Sequence, residues 1–313
     1  MGMIIAKCPL RISLVGGSTD QEEFIQKYGK GSVISFPSNL FTYISIHENN
    51  RNKYIINYSK KEEVDSVDEI KNDVARVCLK RFNVKPITVT FNTDILSSGS
   101  GLASSTSYMI AMIKAISIHL NHTWTDFEIC KLALELEREF NPLTGAQDPY
   151  GCGIGGFKRI NFSKANNPSF TFLDSGFLSQ HFNMALYHTG EIRSSTKILE
   201  SIDFDKSLPL LYKVDWLEEA LNAKDIDKFL KLFNESWETK KKTSKLILES
   251  EHLKDFDKAF GLNEKILGVK LCGAGGGGYF FALCDKRFPA PVINGISPIY
   301  VLVSESGVSG VRV

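Results

Sequence analysis

The chain has no apolar run approaching eighteen residues, no cysteine pair at C-x-x-C spacing, no internal repeat and almost no net charge. The first absence excludes an ordinary membrane-spanning helix. The amino end also lacks a basic flank leading into an apolar segment and a cleavage site, so neither secretion nor membrane insertion is expected. Six cysteines without paired spacing, Cys130 and Cys284 among them in apolar surroundings, fit reduced thiols in a cytoplasmic compartment. A formal charge of +1 argues against nucleic acid as a partner. The run Lys240-Lys241-Lys242 reads as a solvated helix face, with contact to the substrate as the alternative. No lysine follows a glycine loop at Gly-Lys-Ser/Thr spacing, which excludes a P-loop nucleotidase.

What is present is a run of small residues, Ser97-Ser98-Gly99-Ser100-Gly101-Leu102-Ala103-Ser104-Ser105-Thr106-Ser107. A strand-like segment, Ile87 to Thr93, precedes it, and Met109, Met112, Ile113, Ile116 and Leu120 follow at helical spacing. Strand, small-residue loop and helix in this order make a phosphate cradle. Glycine lets the backbone approach a ligand, and the first N–H groups of a helix have no internal partner and point at an anion. A second run, Gly273-Ala274-Gly275-Gly276-Gly277-Gly278, lies between apolar segments and reads as strand, glycine turn and strand. Consecutive glycines mark backbone that takes unusual dihedrals or passes close to another group.

A third segment, Pro9-Leu10-Arg11-Ile12-Ser13, continues into Gly16-Gly17-Ser18-Thr19-Asp20. In this order and at these distances the three segments resemble those of the GHMP kinases, the family of galactokinase, homoserine kinase and mevalonate kinase. The Pro-Leu-Arg-Ile-Ser and Thr-Asp elements, with Thr189-Gly190-Glu191-Ile192-Arg193-Ser194, are most similar to the heptose 7-phosphate kinase subgroup. The departures are Ser97 and Ser98 at common proline positions, Ser18 in place of a glycine, and Ala103 in place of another. Alanine suits an ordinary helix entry and does not take positive φ cheaply.

From Glu135 to Gly156 the chain supplies carboxylates. Thr125 and Glu128 have capping-box spacing and start a helix that Pro142 must end or follow. Glu137 lies in its last turns and Asp148 eleven residues later. The resemblance implies Asp148 as base and Arg11 as its partner toward the developing alkoxide. It implies ATP held by Gly99, Ser100, Gly101, Leu102, Ala103, Ser104, Ser105 and Thr106, and Mg²⁺ held by Ser105 and Glu137, with Glu139 as the rival to Glu137. Acceptor contacts would come from Gly17, Ser18, Thr19, Asp20, Gly275 and Gly276, with Arg193 and Ser194 placed to meet a phosphate on the acceptor. The implied reaction is phosphorylation of the anomeric hydroxyl of D-glycero-α-D-manno-heptose 7-phosphate, on the way to nucleotide-activated heptose. The alternatives are another sugar, such as fucose, galactose or a uronic acid, an alcohol kinase of the mevalonate type, or a non-catalytic sensor of ATP and sugar.

The implied fold is α+β in two domains, residues 1–166 and 167–313, with mixed or antiparallel sheets covered by helices and the cleft between them. The boundary falls at Ser163 to Pro168, where polar residues and a proline follow a strand-like segment. Strands are expected at Ser32–Phe36, Phe41–His47 and Lys53–Ser59, and helices over Trp216–Ala223 and Ile226–Trp237. A monomer or homodimer acting on a small sugar phosphate completes the expectation.

Overall fold

The computed structural model describes residues 2–164, 167–192 and 195–313. In chain order the first half carries β1 (Ile4–Val15), α1 (Glu22–Tyr28), β2 (Lys30–Glu48), β3 (Tyr54–Asn57), β4 (Lys61–Val64), α2 (Asp73–Arg81), β5 (Ile87–Thr93), α3 (Ser104–His119), α4 (Asp126–Glu137), α5 (Gln147–Gly153) and β6 (Lys158–Ser163). The second half carries β7 (Ser169–Phe172), α6 (Ser175–His181), β8 (Phe182–His188), α7 (Ser195–Glu200), α8 (Phe204–Asn222), α9 (Ile226–Lys241), α10 (Glu251–Gly261), β9 (Ile266–Leu271), β10 (Tyr279–Asp285), β11 (Ile299–Tyr300) and β12 (Ser309–Arg312).

The two strands expected at Ser32–Phe36 and Phe41–His47 form one, β2, which continues through Pro37. A register shift against β1 accommodates the proline where Pro9 pairs with Phe41 and Arg11 with Pro37. The length of β2 lets its two ends take different neighbours. Thr42–Glu48 pairs with β5 and Lys30–Ser35 with β6, so the larger sheet branches. Its main path runs β12-β1-β2-β5-β3-β4, with β6 branching off β2 and β7 pairing with β6. The β3–β5 pair is parallel and the others are antiparallel. The second sheet is β11-β8-β10-β9, antiparallel throughout.

Helix α3 is buried from Met109 through Ile116 except at Lys114, which explains why its apolar residues run round most of the helix rather than along one stripe. It lies on β1 and β2 and against α2, α4 and α5. The capping box at Thr125 and Glu128 forms as read. Three apolar clusters result. One belongs to the first half with Val308 added, and one lies behind the second sheet around Trp237, Phe256 and Phe280. The third joins Leu10, Ile12, Leu14 and Phe36 to Val214, Phe229 and Phe281, so both halves build it. With a division at 166/167, β7 and β12 of the second half are strands of the first sheet. Part of the expected boundary segment, Ala165 and Asn166, lies outside the described residues.

Candidate active site

Three turns converge on one cavity of about 360 Å³. Its first wall is the loop from Ser97 to the start of α3, where Gly99 and Gly101 take positive φ and Ser104, Ser105 and Thr106 open the helix. The unpaired N–H groups at this sixteen-residue helix's start favour an anion there. Ala103 departs from expectation: as the residue before the helix it adopts φ 61° and ψ 41°, a left-handed conformation. The turn geometry has overridden alanine's preference, at about 1–2 kcal/mol. Leu102 is fully buried and anchors the loop, its carbonyl accepting from Arg11 N–H at 3.1 Å.

The four glycines from Gly275 to Gly278 all take positive φ. They support the loop from behind. Tyr279 N–H donates to Ser100 O at 3.1 Å, and a Cβ at position 278 would lie 2.4 Å from that same oxygen. Gly275 and Gly276 pack against Ile247, while Gly273 and Ala274 line the cavity.

Arg11 projects from β1, is 4% exposed, and donates twice to Asp148 Oδ1, from Nε at 3.0 Å and Nη2 at 2.7 Å. Its Nη1 donates to Gly101 O at 2.6 Å, so one guanidinium ties the small-residue loop to Asp148. Among the described residues Asp148 Oδ2 has no hydrogen-bond partner. Asp20 is fully buried and accepts from Gln147 N–H at 3.1 Å and Gln147 Nε2 at 2.9 Å. Burial, then the charge of Asp148, pushes its carboxyl up to about 6, against the hydrogen bonds that favour the anion. Gly145 makes this approach possible, since a Cβ there would lie 2.1 Å from Asp20 Oδ2.

Glu137 is 2% exposed and accepts from Thr106 Oγ1 at 2.5 Å, whereas Glu135 and Glu139 are exposed. Burial pushes Glu137 up to about 7, opposed by the hydroxyls of Thr106 and Ser105. The donor set of one carboxylate and two hydroxyls, all oxygen, suits Mg²⁺, which binds proteins through one or two carboxylates and completes its shell with phosphates and water.

Of the acceptor candidates, Gly17, Ser18 and Asp20 line the cavity. Thr19 turns inward: its hydroxyl lies 2.8 Å from both the Gly16 and Ser32 carbonyls and accepts from Ser32 N–H, which shapes the turn. Arg193 and Ser194 lie outside the described residues, though Ser195 just after them lines the cavity. Sequence reasoning missed Gln147 and Thr144, and set substrate contact by Lys240 second to a solvated face. Gln147 orients Asp20, and both its Oε1 and Thr144 Oγ1 are buried at the cavity without a hydrogen-bond partner. Lys240, read as solvated, is 8% exposed, lines the cavity and donates to Ser18 Oγ at 2.5 Å. The aromatic spacing Phe229, Phe233, Trp237 carries on to Lys240 on the same face and was the available signal.

Residues 69–156 match the family described as GHMP kinases N terminal domain, and residues 217–294 match GHMP kinases C terminal. The chain is 28% identical over 311 residues to a D-glycero-alpha-D-manno-heptose 7-phosphate kinase of Campylobacter jejuni, covering 91% of this chain and 90% of that one. It is 29% identical over 159 residues to a galactokinase of Thermotoga neapolitana, covering 48% of this chain and 43% of the other. Among solved structures, a D-glycero-D-manno-heptose 1-phosphate kinase from Bacteroides thetaiotaomicron superposes with a TM-score of 0.77 at 21% identity over 99% of both chains. The galactokinase of Lactococcus lactis superposes at 0.76 with 15% identity, over 99% of this chain and 95% of that one. With both family domains in register around a cavity walled by the small-residue loop, the Arg11–Asp148 pair and Glu137, this chain belongs to the GHMP kinase family and is an ATP-dependent sugar kinase.

Proposed function

We propose that the chain phosphorylates the anomeric hydroxyl of D-glycero-α-D-manno-heptose 7-phosphate, giving the 1,7-bisphosphate and ADP. The observation that carries the reading is the Arg11–Asp148 pair in the same cavity as the phosphate loop and Asp20. Phosphoryl transfer passes through a loose transition state, so the protein's share is positioning and charge neutralisation. Asp148 accepts the proton of the attacking hydroxyl on Oδ2, because Oδ1 is held by Arg11. Arg11 neutralises the oxygen that develops charge and fixes Gly101 of the loop at the same time. Asp20, Gln147 and Thr144 read the acceptor's hydroxyls, and the two unpartnered buried oxygens are suited to that task. Arg193 and Ser194 are the sequence candidates for its phosphate. Glu137 with Ser105 and Thr106 would hold Mg²⁺, which supplies charge neutralisation on the nucleotide's phosphates when bound.

The likeness to the Campylobacter enzyme over nine-tenths of both chains supports a heptose phosphate as acceptor. The partial likeness to galactokinases makes an unphosphorylated sugar the second reading. The test is ADP release with Mg·ATP on heptose 7-phosphate, mannose 6-phosphate, mannose, galactose and fucose, with NMR of the product. Heptose 7-phosphate should give the highest kcat/KM and a new phosphate at C1. A free sugar turned over in preference to it, or a product phosphorylated elsewhere, overturns the assignment.

A further inference from the structure

Strand β1 departs from a regular ladder on both sides of Arg11. Against β2 the register shifts between Pro9 and Arg11 and again between Ser13 and Val15. At the second shift Ser13 pairs with Ser35 and Val15 with Ile34, so Leu14 is an extra residue without a partner. This is a β-bulge, a device that bends a strand and re-aims its side chains. In a regular strand successive carbonyls point to opposite edges, and one donor cannot reach both. Here they converge on a single group: Lys270 Nζ donates to Ser13 O at 2.7 Å and to Leu14 O at 3.1 Å. Two carbonyls turned to one point need donors there, and an ammonium carries enough protons for both.

Lys270 comes from the other half of the chain. It lies in β9 opposite Phe281 of β10, and Phe281 belongs to the core that both halves build, so the lysine stem shares the sheet face that looks toward β1. Just beyond it β9 ends, and Gly273 and Ala274 enter the cavity wall. Lys270 and Ser13 border a small hollow of about 20 Å³ that shares Arg11, Gly17 and Gln147 with the cavity. The bulge is thus pinned from the second sheet at the point between Arg11, whose guanidinium meets Asp148, and the turn that carries Asp20. We propose that Lys270 is a positioning residue of the reaction: by holding the bulge after Ser13 it fixes the direction in which β1 presents Arg11 to Asp148. The inference rests on the roles given to Arg11 and Asp148 above and adds the group, from the opposite half of the chain, that keeps them aligned.

The test measures the chemical step by single turnover at saturating Mg·ATP and acceptor, with the sugar that the wild type turns over fastest in the panel above. Lys270→Met keeps the stem and removes the donor. It should lower the rate about tenfold or more in the wild-type background, since small misplacements of reacting groups are that costly. In an Arg11→Gln background the same change should cost less than about twofold, because the residue it positions is gone. Lys270→Arg restores donors and should recover most of the rate. Lys270→Gln keeps a donor on a shorter stem and carries the same pair of measurements, with a smaller loss, if Lys270→Met does not fold. An unchanged rate in Lys270→Met, or the same fold-loss in both backgrounds, would confine Lys270 to holding the two halves together and overturn this inference alone. Arg11→Gln and Asp148→Asn turning over at the wild-type rate would overturn the roles of Arg11 and Asp148, and the inference with them.

Discussion

Asp20 is fully buried, and that burial pushes its carboxyl from 3.8 up to about 6, with the charge of Asp148 adding to the shift. Between those two values the folded chain keeps a proton that the unfolded chain has released. The stability this group contributes is therefore lost as pH rises through 6, by about 3 kcal/mol in all. The fold tolerates that loss and at neutral pH presents an ionised acceptor to the cavity. Acceptor affinity, read as Kd without nucleotide so that Glu137 and Mg²⁺ stay out of the measurement, should accordingly weaken as pH drops through about 6, and Asp20→Asn should give a weaker and flat profile. A wild-type profile level from pH 5 to 8 would remove Asp20 ionisation from acceptor binding. Asp148 offers a second residue-scale prediction. Asp148→Asn keeps an oxygen for Arg11 but removes the charge opposite a buried guanidinium, so the melting temperature should fall, while loss of the proposed base lowers kcat by about 10²–10⁴-fold. Melting curves and single-turnover rates on the same preparation separate the two effects.

The small-residue loop and the glycine turn act as one unit, although about 170 residues separate them in the chain. Tyr279 N–H meets Ser100 O, and the Cα of Gly278 sits where no larger residue fits. Gly278→Ala should cost about 2 kcal/mol or more and raise the ATP KM several-fold, measurable by denaturant unfolding and by nucleotide titration. Ala103→Gly should do the reverse for stability, adding about 0.5–1 kcal/mol by relieving the left-handed alanine, net of glycine's extra freedom when unfolded. The local grammar of these elements was legible: strand β5, the loop, the start of α3 and the capping box of α4 follow from spacing and small residues. Ala103 was not, because its dihedral is set by contacts of the loop with Arg11 and with the glycine turn, which arrive from distant sequence. Lys240 was hidden for a related reason. Three lysines in a row look solvated, and only the packing of the aromatic face of α9 decides which one points inward.

At the scale of the whole chain, the last ten residues described return to the first sheet and close against the element that bears Asp148. Ser304 N–H donates to Pro37 O at 2.7 Å and its carbonyl accepts from Gly156 N–H at 2.9 Å. Val308 N–H donates to Gly153 O at 3.1 Å, its side chain joins the first core, and β12 then pairs along β1 from Lys7 back to Ile4. Gly153 ends α5, the helix that starts with Gln147 and Asp148, so this return fixes one end of the short helix whose other end carries the proposed base. The contact is close enough that a Cβ at Gly307 would lie 1.9 Å from Gly153 O. Gly307→Ala must therefore push the strap away or shift α5, at about 1–3 kcal/mol. If α5 moves, Asp148 leaves its register with Arg11, and kcat should fall several-fold while the ATP KM stays within about twofold, because the phosphate loop is held from the other side by the glycine turn. A variant with lowered melting temperature and unchanged kcat would show that the strap yields and α5 does not, which would confine the carboxyl end of the chain to a stabilising role.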